Sequence, residues 1–434
     1  MNGCPVSFAV GSRLSAGDDA VNTRLTMLSV LAAHAGVAHA QWTVTNLHPA
    51  GAASSGAGST NGAQQAGAVT LEVPGTPNTL PHASLWSGTA ESWVDLGSSS
   101  SVADMSGNQQ VGYRSAPFPR ATLWTGTAAS RVDLQPTGAN ESTAYATNGV
   151  QQVGYVRFGN ANRSASLWSG TAESYVNLQP AGANMSFAYA INGTQQGGYV
   201  HVPLPGNPHS GVDRACLWYG TAESWVDLSP AGATWSSVRA LSDTQQGGEA
   251  FVAGVRRASL WSGTAASWVD LSPAGASESF VWDMSHSYQV GVAYVDGVGH
   301  AGLWSGTSES WVDLHLFLPA EFTGSSAYGV WSDDTHVHVT GGAFNAVTNR
   351  SEAIMWTRLL PSACIADVDN DGDFVNGLTR DGAVTIEDLL SFLVGFEASN
   401  VLADLDNGTS TGTPDNAVDI SDLLYFLARF EAGC

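Results

Sequence analysis

The sequence contains no lysine. Its 15 basic residues are all Arg, against 38 Asp and Glu, so the 434 residues carry a formal net charge of −23. Nucleic acids and anionic membranes require clustered cations, and this charge balance argues against both as partners. The missing lysine also excludes Schiff-base chemistry and the phosphate binding of P-loops.

Long apolar runs are scarce. The one near the start covers residues 25–40, follows Arg24 and ends in Ala-His-Ala. A cationic start, a short apolar core and a small-x-small end are typical of a secretory signal. At about 16 residues the run is too short to span a bilayer. We expect a signal-peptide region over residues 1–40, with a true start near residue 21, and a secreted or cell-surface protein without a membrane span. A helix of the mature protein is the alternative.

From residue 41 to residue 360 the sequence repeats itself. The segment Ala165–Leu178 (ASLWSGTAESYVNL) returns at Ala258–Leu271 (ASLWSGTAASWVDL). Further copies surround Trp86, Trp124, Trp218 and Trp304, with a degenerate copy at Trp356. Successive copies of this Trp are 38 to 52 residues apart, which is the length of one four-stranded sheet with its turns.

A second motif, Gln-Gln-x-Gly, lies between the tryptophan segments, as in Gly193–Gly198 (GTQQGG). The polar step before the glutamines predicts a hairpin turn between two strands. The Leu-Trp strand and the Trp-Val-Asp-Leu strand bring each unit to four strands. Seven such units predict an all-β, seven-bladed β-propeller with four-stranded blades. An open β-solenoid is the alternative.

The ends of the array predict that the ring closes. Residues 42–51 (WTVTNLHPAG) match residues 225–232 (WVDLSPAG), whereas the array stops on the partner strand at Trp356. We therefore expect the N-terminal strand from Trp42 to Leu47 to complete the last blade, which leaves no open sheet edge.

The turn, the Ala-Ser-Leu-Trp strand and the closing Asp-Leu resemble the HAF family of bacterial extracellular repeats, whose usual sequence at this strand is His-Ala-Phe. The resemblance covers most of residues 42–356. It implies a secreted, propeller-like array and no defined activity.

The polar positions that recur in the ring predict structure rather than chemistry. We expect them to accept backbone N–H bonds at strand ends, one per unit, at Asp95, Asp133, Asn177, Asp227, Asp270 and Asp313. Catalysis in a symmetric ring instead needs residues that break the repeat.

Few residues break the repeat. Trp235, Trp282 and Trp331 could form an aromatic platform for a glycan or a peptide, because flat apolar rings stack on sugar faces. Core filling is the favoured interpretation of these three tryptophans. His336 and His338 could supply two imidazoles to a metal, although a degenerate last blade is the favoured interpretation.

The last sixth of the chain concentrates the charge. Residues 361–434 contain 14 acids and two Arg, which is −12 of the total of −23. Alternating aspartates precede the apolar segment Leu389–Phe396, and the pattern returns before Leu423–Phe430. Alternating carboxylates ahead of a helix supply hard oxygen ligands for calcium in an EF-hand-like loop. A solvated acidic linker is the alternative.

This duplicated unit resembles dockerin modules, in particular the planctomycete type that ends in Gly-Cys, as Gly433-Cys434 does here. The resemblance implies a small all-α module over residues 361–434, two calcium ions and a cohesin-like or other surface or scaffold partner. Both loops contain insertions relative to the family. The implied ligands are Asp367, Asp369, Asp381, the Ala383 carbonyl and Asp388, with Asp371 or Asp373 as alternatives to Asp381, and then Asp404, Asp406, Asp415, the Ala417 carbonyl and Asp422.

The chain has only four cysteines. Cys4 precedes the predicted cleavage point, and Cys216 stands where other repeats have Ser, so we expect it to be a buried thiol. Cys364 and Cys434 bracket the acidic module, and in an oxidising compartment a disulfide between them would clasp its ends. Two free thiols are the alternative.

These features predict a secreted, noncatalytic propeller that binds or displays a ligand and is tethered to its partner by the calcium-dependent module. The alternative is a secreted glycan-acting enzyme, either a glycoside hydrolase or a lyase. That alternative predicts non-repeating carboxylates facing one another across the central channel. A purely structural ring would instead bury the sector that contains the three tryptophans.

Overall fold

The computed structural model describes residues 42–360, apart from 116, 205, 206 and 334, and then 368, 384–400, 403–408 and 415–432. The predicted signal region and several candidate residues lie outside these ranges, namely Cys364, Asp367, Asp369, Asp371, Asp373, Asp381, Ala383 and Cys434. The chain divides into two compact units, of which one spans Trp42–Arg358 and the other contains the residues from Leu359 onward.

Residues 42–358 form seven four-stranded antiparallel sheets, and each sheet is one blade of a β-propeller. Six blades follow the chain in order: β2 (Ser54–Thr60), β3 (Gln65–Glu72), β4 (Thr79–Trp86) and β5 (Val94–Ser98); β6 (Ser100–Ser106), β7 (Gln109–Ser115), β8 (Pro119–Trp124) and β9 (Val132–Asp133); β10 (Ala139–Thr147), β11 (Gln152–Phe158), β12 (Ser164–Trp168) and β13 (Val176–Asn177); β14 (Met185–Asn192), β15 (Gln195–Leu204), β16 (Asn207–Trp218) and β17 (Val226–Asp227); β18 (Ala233–Leu241), β19 (Gln246–Val252), β20 (Val255–Trp261) and β21 (Val269–Asp270); β22 (Ser279–Ser285), β23 (Tyr288–Val295), β24 (Val298–Trp304) and β25 (Val312–Asp313).

The seventh blade joins the two ends of the ring. It contains β26 (Phe322–Ser332), β27 (His336–Asn345), β28 (Arg350–Leu359) and, as its outermost strand, β1 (Thr43–Asn46). Val44 lies opposite Trp356 in this antiparallel pair. The seven blades and the closure by the N-terminal strand are therefore confirmed, and the open solenoid is excluded.

The first strand of each blade lies innermost, because these strands contact their counterparts in the neighbouring blades. We call them the inner strands; they are β2, β6, β10, β14, β18, β22 and β26.

The repeated glutamine holds the turn that follows the Leu-Trp strand. In six blades the second Gln of the motif accepts the backbone N–H of the Gly in that turn, as Gln152 does from Gly170 at 2.8 Å. Gly170 has a φ of 85°, a left-handed conformation that glycine adopts without steric cost. The two sequence motifs therefore form one structural unit.

The Trp of each Leu-Trp strand fills the core between neighbouring blades. Trp168, for example, packs with Val111 of one blade and Ala144 of the next. Burying a large apolar side chain contributes roughly 3 kcal/mol. All seven are 0% exposed: Trp86, Trp124, Trp168, Trp218, Trp261, Trp304 and Trp356.

A buried serine links each inner strand to the preceding blade. Its hydroxyl accepts the backbone N–H of the Ala two residues before the Leu of the Leu-Trp strand, at distances of 2.8 to 3.2 Å. Ser55 makes this bond with Ala353 and so connects blade 1 to blade 7. The same bond therefore holds every blade-to-blade junction, including the one that closes the ring. The seven serines are Ser55, Ser100, Ser142, Ser186, Ser236, Ser279 and Ser325.

The second unit contains two helices, α1 (Ile386–Glu397) and α2 (Ile420–Ala432), in its described residues. The Phe392 and Phe426 rings stack with centroids 3.9 Å apart at the centre of its core. The predicted apolar segments thus lie in helices, whereas the EF-hand-like dockerin fold stays a prediction. None of the helices in the described ranges has the length and hydropathy needed to cross a bilayer.

The serine links predict a specific loss of stability. In Ser186→Ala the buried N–H of Ala165 loses its acceptor, which costs about 1–3 kcal/mol of unfolding free energy. We expect a lower thermal melting temperature by calorimetry. The matched control is Ser169→Ala, at an exposed serine, and equal melting of the two variants would contradict the role of the link.

Candidate functional site

The aspartates that recur once per blade are structural, as predicted. Asp227 accepts the backbone N–H of Ser229 at 2.8 Å with one oxygen and pairs with Arg214 at 2.5 Å through the other. The first of these bonds recurs in all seven blades, with Asn177 and Asn46 in place of the aspartate in blades 3 and 7. The recurring carboxylates therefore complete strand ends, and a functional site must be sought in residues that differ between blades.

Such residues occur at a β-bulge in the inner strands. In all seven blades the pairing register of the inner strand slips by one residue at the same place. A bulge leaves one residue unpaired and redirects its side chain. The seven bulge residues are Gly58, Ala103, Tyr145, Tyr189, Arg239, Trp282 and Tyr328.

The glycine of the Gln-Gln-x-Gly motif makes the bulge possible. A Cβ at Gly154 would lie 1.8 Å from the carbonyl oxygen of Thr143 on the inner strand, and one at Gly248 would lie 2.1 Å from that of Ser237. These distances are far below van der Waals contact, so a larger residue would push the inner strand away. The repeated glycine is thus required by the close approach of two backbones, which the sequence motif alone does not reveal.

All seven bulge residues line one cavity of about 120 Å³ at the centre of the ring, which we call the channel cavity. Its lining is uneven. Blades 1 and 2 contribute Gly58 and Ala103, whereas the other five contribute four aromatic rings and the guanidinium of Arg239. The channel is therefore lined by small side chains at blades 1 and 2, whereas aromatic rings and a guanidinium line it at the other five blades.

Two carboxyl groups also line the channel cavity. Asp104 and Asp283 each follow a bulge residue, where other blades have Ser, Ala or Gly. Asp104 accepts a hydrogen bond from the Ser59 hydroxyl at 2.8 Å, and Asp283 accepts the Val330 N–H at 2.8 Å. Burial raises the pKa of both carboxyls, and repulsion from Asp104 helps to raise the pKa of Asp283 to about 7. Asp283 is therefore partly protonated near neutral pH.

A buried glutamate organises the cationic side. Glu249 is 0% exposed and accepts hydrogen bonds from Nε and Nη2 of Arg239, at 3.0 and 2.7 Å, and from Nε of Arg256 at 2.5 Å. Burial by itself would lower the pKa of Arg239, but the charge of Glu249 together with the interactions of Glu249 and Tyr189 with the guanidinium raises it. The Arg239 guanidinium therefore stays charged although it is packed among aromatic rings.

These arginines also line a second cavity of about 430 Å³ between blades 4 and 5, which we call the arginine cleft. Its other functional side chains include Tyr199, Trp235 and the His201–Asp213 pair, whose Nδ1 and carboxylate oxygen are 2.6 Å apart. Two residues, Tyr189 and Arg239, line both the arginine cleft and the channel cavity. The two cavities are therefore adjacent parts of one site.

The tyrosines of this site are neutral. Burial raises the pKa of Tyr145, Tyr189 and Tyr199 above its ordinary value. Their hydroxyls can donate hydrogen bonds to a ligand while their rings offer apolar faces.

The three tryptophans predicted as a possible platform lie at different positions along their strands. Trp282 is a bulge residue of the channel cavity, and Trp235 stands near the start of β18 in the arginine cleft. Trp331 lies near the end of β26, beside His338 and close to Gly62 of the neighbouring blade. The structure thus brings two of the three to the site and places the third elsewhere.

His336 and His338 lie side by side, with ring centroids 5.6 Å apart. In the described part of the chain, no group of three or more His, Cys, Asp or Glu side chains is placed to hold a metal ion.

The described candidate ligands of the second unit contact backbone groups of its loops. Asp388 accepts the N–H groups of Val368 and Thr385, at 2.8 and 2.7 Å. Asp422 repeats the pattern by accepting the N–H groups of Leu405, Asp406 and Asp419, at 2.5 to 2.8 Å. The Asp404 carboxylate accepts the N–H groups of Asp415 and Asn416. The Asp415 carboxylate accepts the N–H group of Ala417. Four of the candidate carboxylates are at most 5% exposed, namely Asp388, Asp404, Asp406 and Asp422.

The sequence analysis missed the channel residues, although a signal for them existed. In six blades the bulge residue stands seven positions before the second Gln, as Arg239 stands before Gln246. An alignment of the repeats on that Gln gives Gly, Ala, Tyr, Tyr, Arg and Trp at one position. Variation of the residue type at one position of an otherwise regular repeat indicates a candidate site.

No family model matches the chain, and no curated protein matches its sequence. Solved structures with a similar fold include the acylaminoacyl peptidase of Pyrococcus horikoshii, with 9% identity, a TM-score of 0.49 and coverage of 70% of this chain and 52% of that chain. The β-propeller domain of the trilobed protease from Pyrococcus furiosus has 8% identity, a TM-score of 0.48 and coverage of 70% and 94%.

A puromycin-hydrolyzing peptidase of Mycobacterium tuberculosis has 13% identity, a TM-score of 0.41 and coverage of 73% and 53%. The chain spans about half the length of the two whole peptidases. At these identities the likeness concerns the propeller fold alone, and the resemblances to HAF repeats and dockerins stay predictions.

The prediction of a noncatalytic, tethered display propeller is wrong. It assumed that the polar groups of the ring follow the repeat, whereas the channel position differs from blade to blade. The solved structures with a similar fold include two peptidases, the propeller domain of a protease and TolB from Acinetobacter baumannii. Asp104 and Asp283 are non-repeating carboxyls that line the channel, as the glycan-acting alternative predicts, yet no finding supports a glycan or a cohesin-like protein as the partner.

The channel carboxyls predict a pH-dependent change of stability. Because the pKa of Asp283 is raised from 3.8 to about 7, the folded chain binds the proton more tightly than the unfolded chain. The resulting stabilisation is complete below about pH 4 and is lost as the pH rises through 7. Asp283→Asn keeps an oxygen for the Val330 N–H but cannot ionise. We expect it to be more stable than the parent by roughly 2–4 kcal/mol at pH 8 and equal to it at pH 4.

Thermal melting between these pH values checks this expectation. Asp296→Asn, at an exposed turn residue, is the matched control and should change little at either pH. An equal effect of Asp283→Asn at both pH values would contradict the assignment.

Proposed function

We propose that this chain is a peptidase-related propeller that binds peptides at its channel cavity and arginine cleft. The observation that carries the proposal is the change of the bulge residue around the ring, from Gly58 and Ala103 to aromatic rings and Arg239. A ring built only for stability has no need of different channel side chains in otherwise equal blades.

The chemistry of the site supports a peptide as the ligand. Rings such as Tyr189 and Trp282 offer apolar faces for side chains, and neutral tyrosine hydroxyls offer hydrogen bonds to peptide groups. Arg239 and Arg256 attract anionic groups, whereas Asp104 and Asp283 attract cationic ones. A peptide carries apolar, amide, cationic and anionic groups in one molecule, and a neutral sugar lacks both charges.

Peptide binding can be measured by isothermal titration calorimetry with short peptides that contain aromatic residues. We expect Trp282→Leu to weaken binding at least about tenfold, because it removes an aromatic face from the channel. The matched control is Trp93→Phe, since Trp93 lies beside the outermost strand of blade 1 and donates to Ser84. Binding of neutral oligosaccharides in the absence of peptide binding would refute the proposal.

We also propose that the second unit is a dockerin-like module that binds calcium. Support comes from the burial of Asp404 and Asp406 in one loop and of Asp422 in the first turn of α2, and from the matching loop contacts of Asp388 and Asp422. Carboxylate oxygens are the ligands that calcium prefers. Bound calcium would offset the repulsion between these charges and supply a link between the loop and α2.

Calcium should therefore stabilise the second unit of the full chain. At a free calcium concentration 100 times the Kd, we expect a gain of about 2.7 kcal/mol, seen as a calorimetric transition that EDTA lowers. Asp406→Asn should reduce the response, whereas Asp419→Asn, at an exposed residue outside the implied ligand set, should keep it. A calorimetric transition whose temperature is unchanged by calcium and by EDTA in the parent chain would contradict the proposal.

A further inference from the structure

We infer that the arginine cleft binds the free α-carboxylate of a peptide, so that the propeller selects its ligands by their C-terminal end. This inference rests on the proposed function and names the group that the cleft recognises.

The first support is a surplus of positive charge at one point. Arg239 and Arg256 converge on a single carboxylate, that of Glu249. A guanidinium has five N–H donors, and Glu249 occupies two of those of Arg239. Two cations that share one buried anion retain net positive charge and further donors. In a chain with 38 acids and 15 Arg, this arrangement runs against the overall charge.

The second support is the rigidity of the two guanidiniums. Arg239 lies over the Tyr189 ring, 4.1 Å from its centroid, and 5.3 Å from that of Trp282. Arg256 lies 4.0 Å from the ring centroid of Phe280 and 5.5 Å from that of Trp235. Each planar group is therefore held by aromatic rings and by Glu249 before any ligand arrives. Such preorganisation reduces the entropic cost of binding.

The side chains of Arg239 and Arg256 line the arginine cleft and are partly exposed. The side chains of Arg239 and Arg256 are 20% and 27% exposed, whereas that of Glu249 is 0% exposed. A planar guanidinium matches a carboxylate through paired hydrogen bonds, which suits it to a peptide terminus better than to a neutral amide.

The other charged groups of the cleft are compatible with an incoming carboxylate. Asp213, the remaining acid of its lining, pairs with His201 at 2.6 Å. The ligand carboxylate would thus meet Arg239 and Arg256, while Asp213 is held by its own partner.

The position of the cleft also orients the rest of the ligand. Arg239 and Tyr189 belong to the channel cavity as well, where Asp104 and Asp283 lie. A peptide with its carboxylate at Arg239 and Arg256 would extend its preceding residues over the channel aromatics. Its cationic groups would then approach the two carboxyls.

Pairs of peptides that differ only at the C-terminus test this inference. One member has a free carboxylate and the other a terminal amide, and both are titrated into the full chain by calorimetry. We expect the amide to bind at least about tenfold more weakly, because it loses charge-assisted hydrogen bonds.

Two substitutions assign the effect to the cleft. Arg256→Gln should weaken binding of the free acid to near that of the amide. Arg256→Lys should give an intermediate preference because it keeps the charge without the planar fork. The matched control is Arg257→Gln, since Arg257 pairs with Asp270 on the outer strand. Melting temperatures establish that each variant is folded.

The outcomes separate the two proposals. If neither peptide binds, the proposed function fails. If acid and amide bind equally, peptide binding stands and carboxylate recognition is overturned. A preference for the acid that persists in a folded Arg256→Gln variant also overturns it.

Discussion

The close approach of two backbones in every blade is the constraint on which the rest of the propeller depends. The inner strand bulges against a glycine of the next strand, and a Cβ at Gly154 or Gly248 would come within about 2 Å of a carbonyl oxygen. The bulge turns one side chain per blade toward the axis of the ring. A single repeated geometric feature therefore supplies seven positions that differ chemically while the blades around them stay alike.

Charged residues are few in this chain, so the contacts that each of them makes indicate its role. On the outer strands, arginines pair with the recurring aspartates, as Arg257 does with Asp270, and these pairs complete strand ends. Near the channel, Arg239 and Arg256 share Glu249 instead. Exclusive use of arginine suits both settings, because its planar group can bond a carboxylate and stack on an aromatic ring at once, as a lysine ammonium cannot.

The residues that stabilise the ring and the residues that line the proposed binding site occupy different positions of the same repeat. The buried serines and the Leu-Trp tryptophans recur because each blade must meet its neighbour in the same way, and the glutamines recur because each holds the same turn in its blade. The bulge residues face the cavity and contact one another there, as Arg239 contacts the Tyr189 ring. Substitution there would change the chemistry of the channel without removing the links that close the ring. This separation explains why a ring with mostly regular polar positions nevertheless contains an asymmetric site.

The sequence by itself determined the number of blades, the four strands of each and the closure between Val44 and Trp356, because these follow from local periodicity and from copies of a motif. It also determined the two helices of the second unit. The site was decided only by tertiary structure. Asp104 and Asp283 lie far apart in the chain and meet in the channel because the ring closes. Trp235 and Trp331 both lie in inner strands but near opposite ends of those strands. Their side chains therefore have different surroundings, although both residues interrupt the repeat in the same way. The exact register of each strand and the positions of its bulges are long-range properties, and no local pattern contains them.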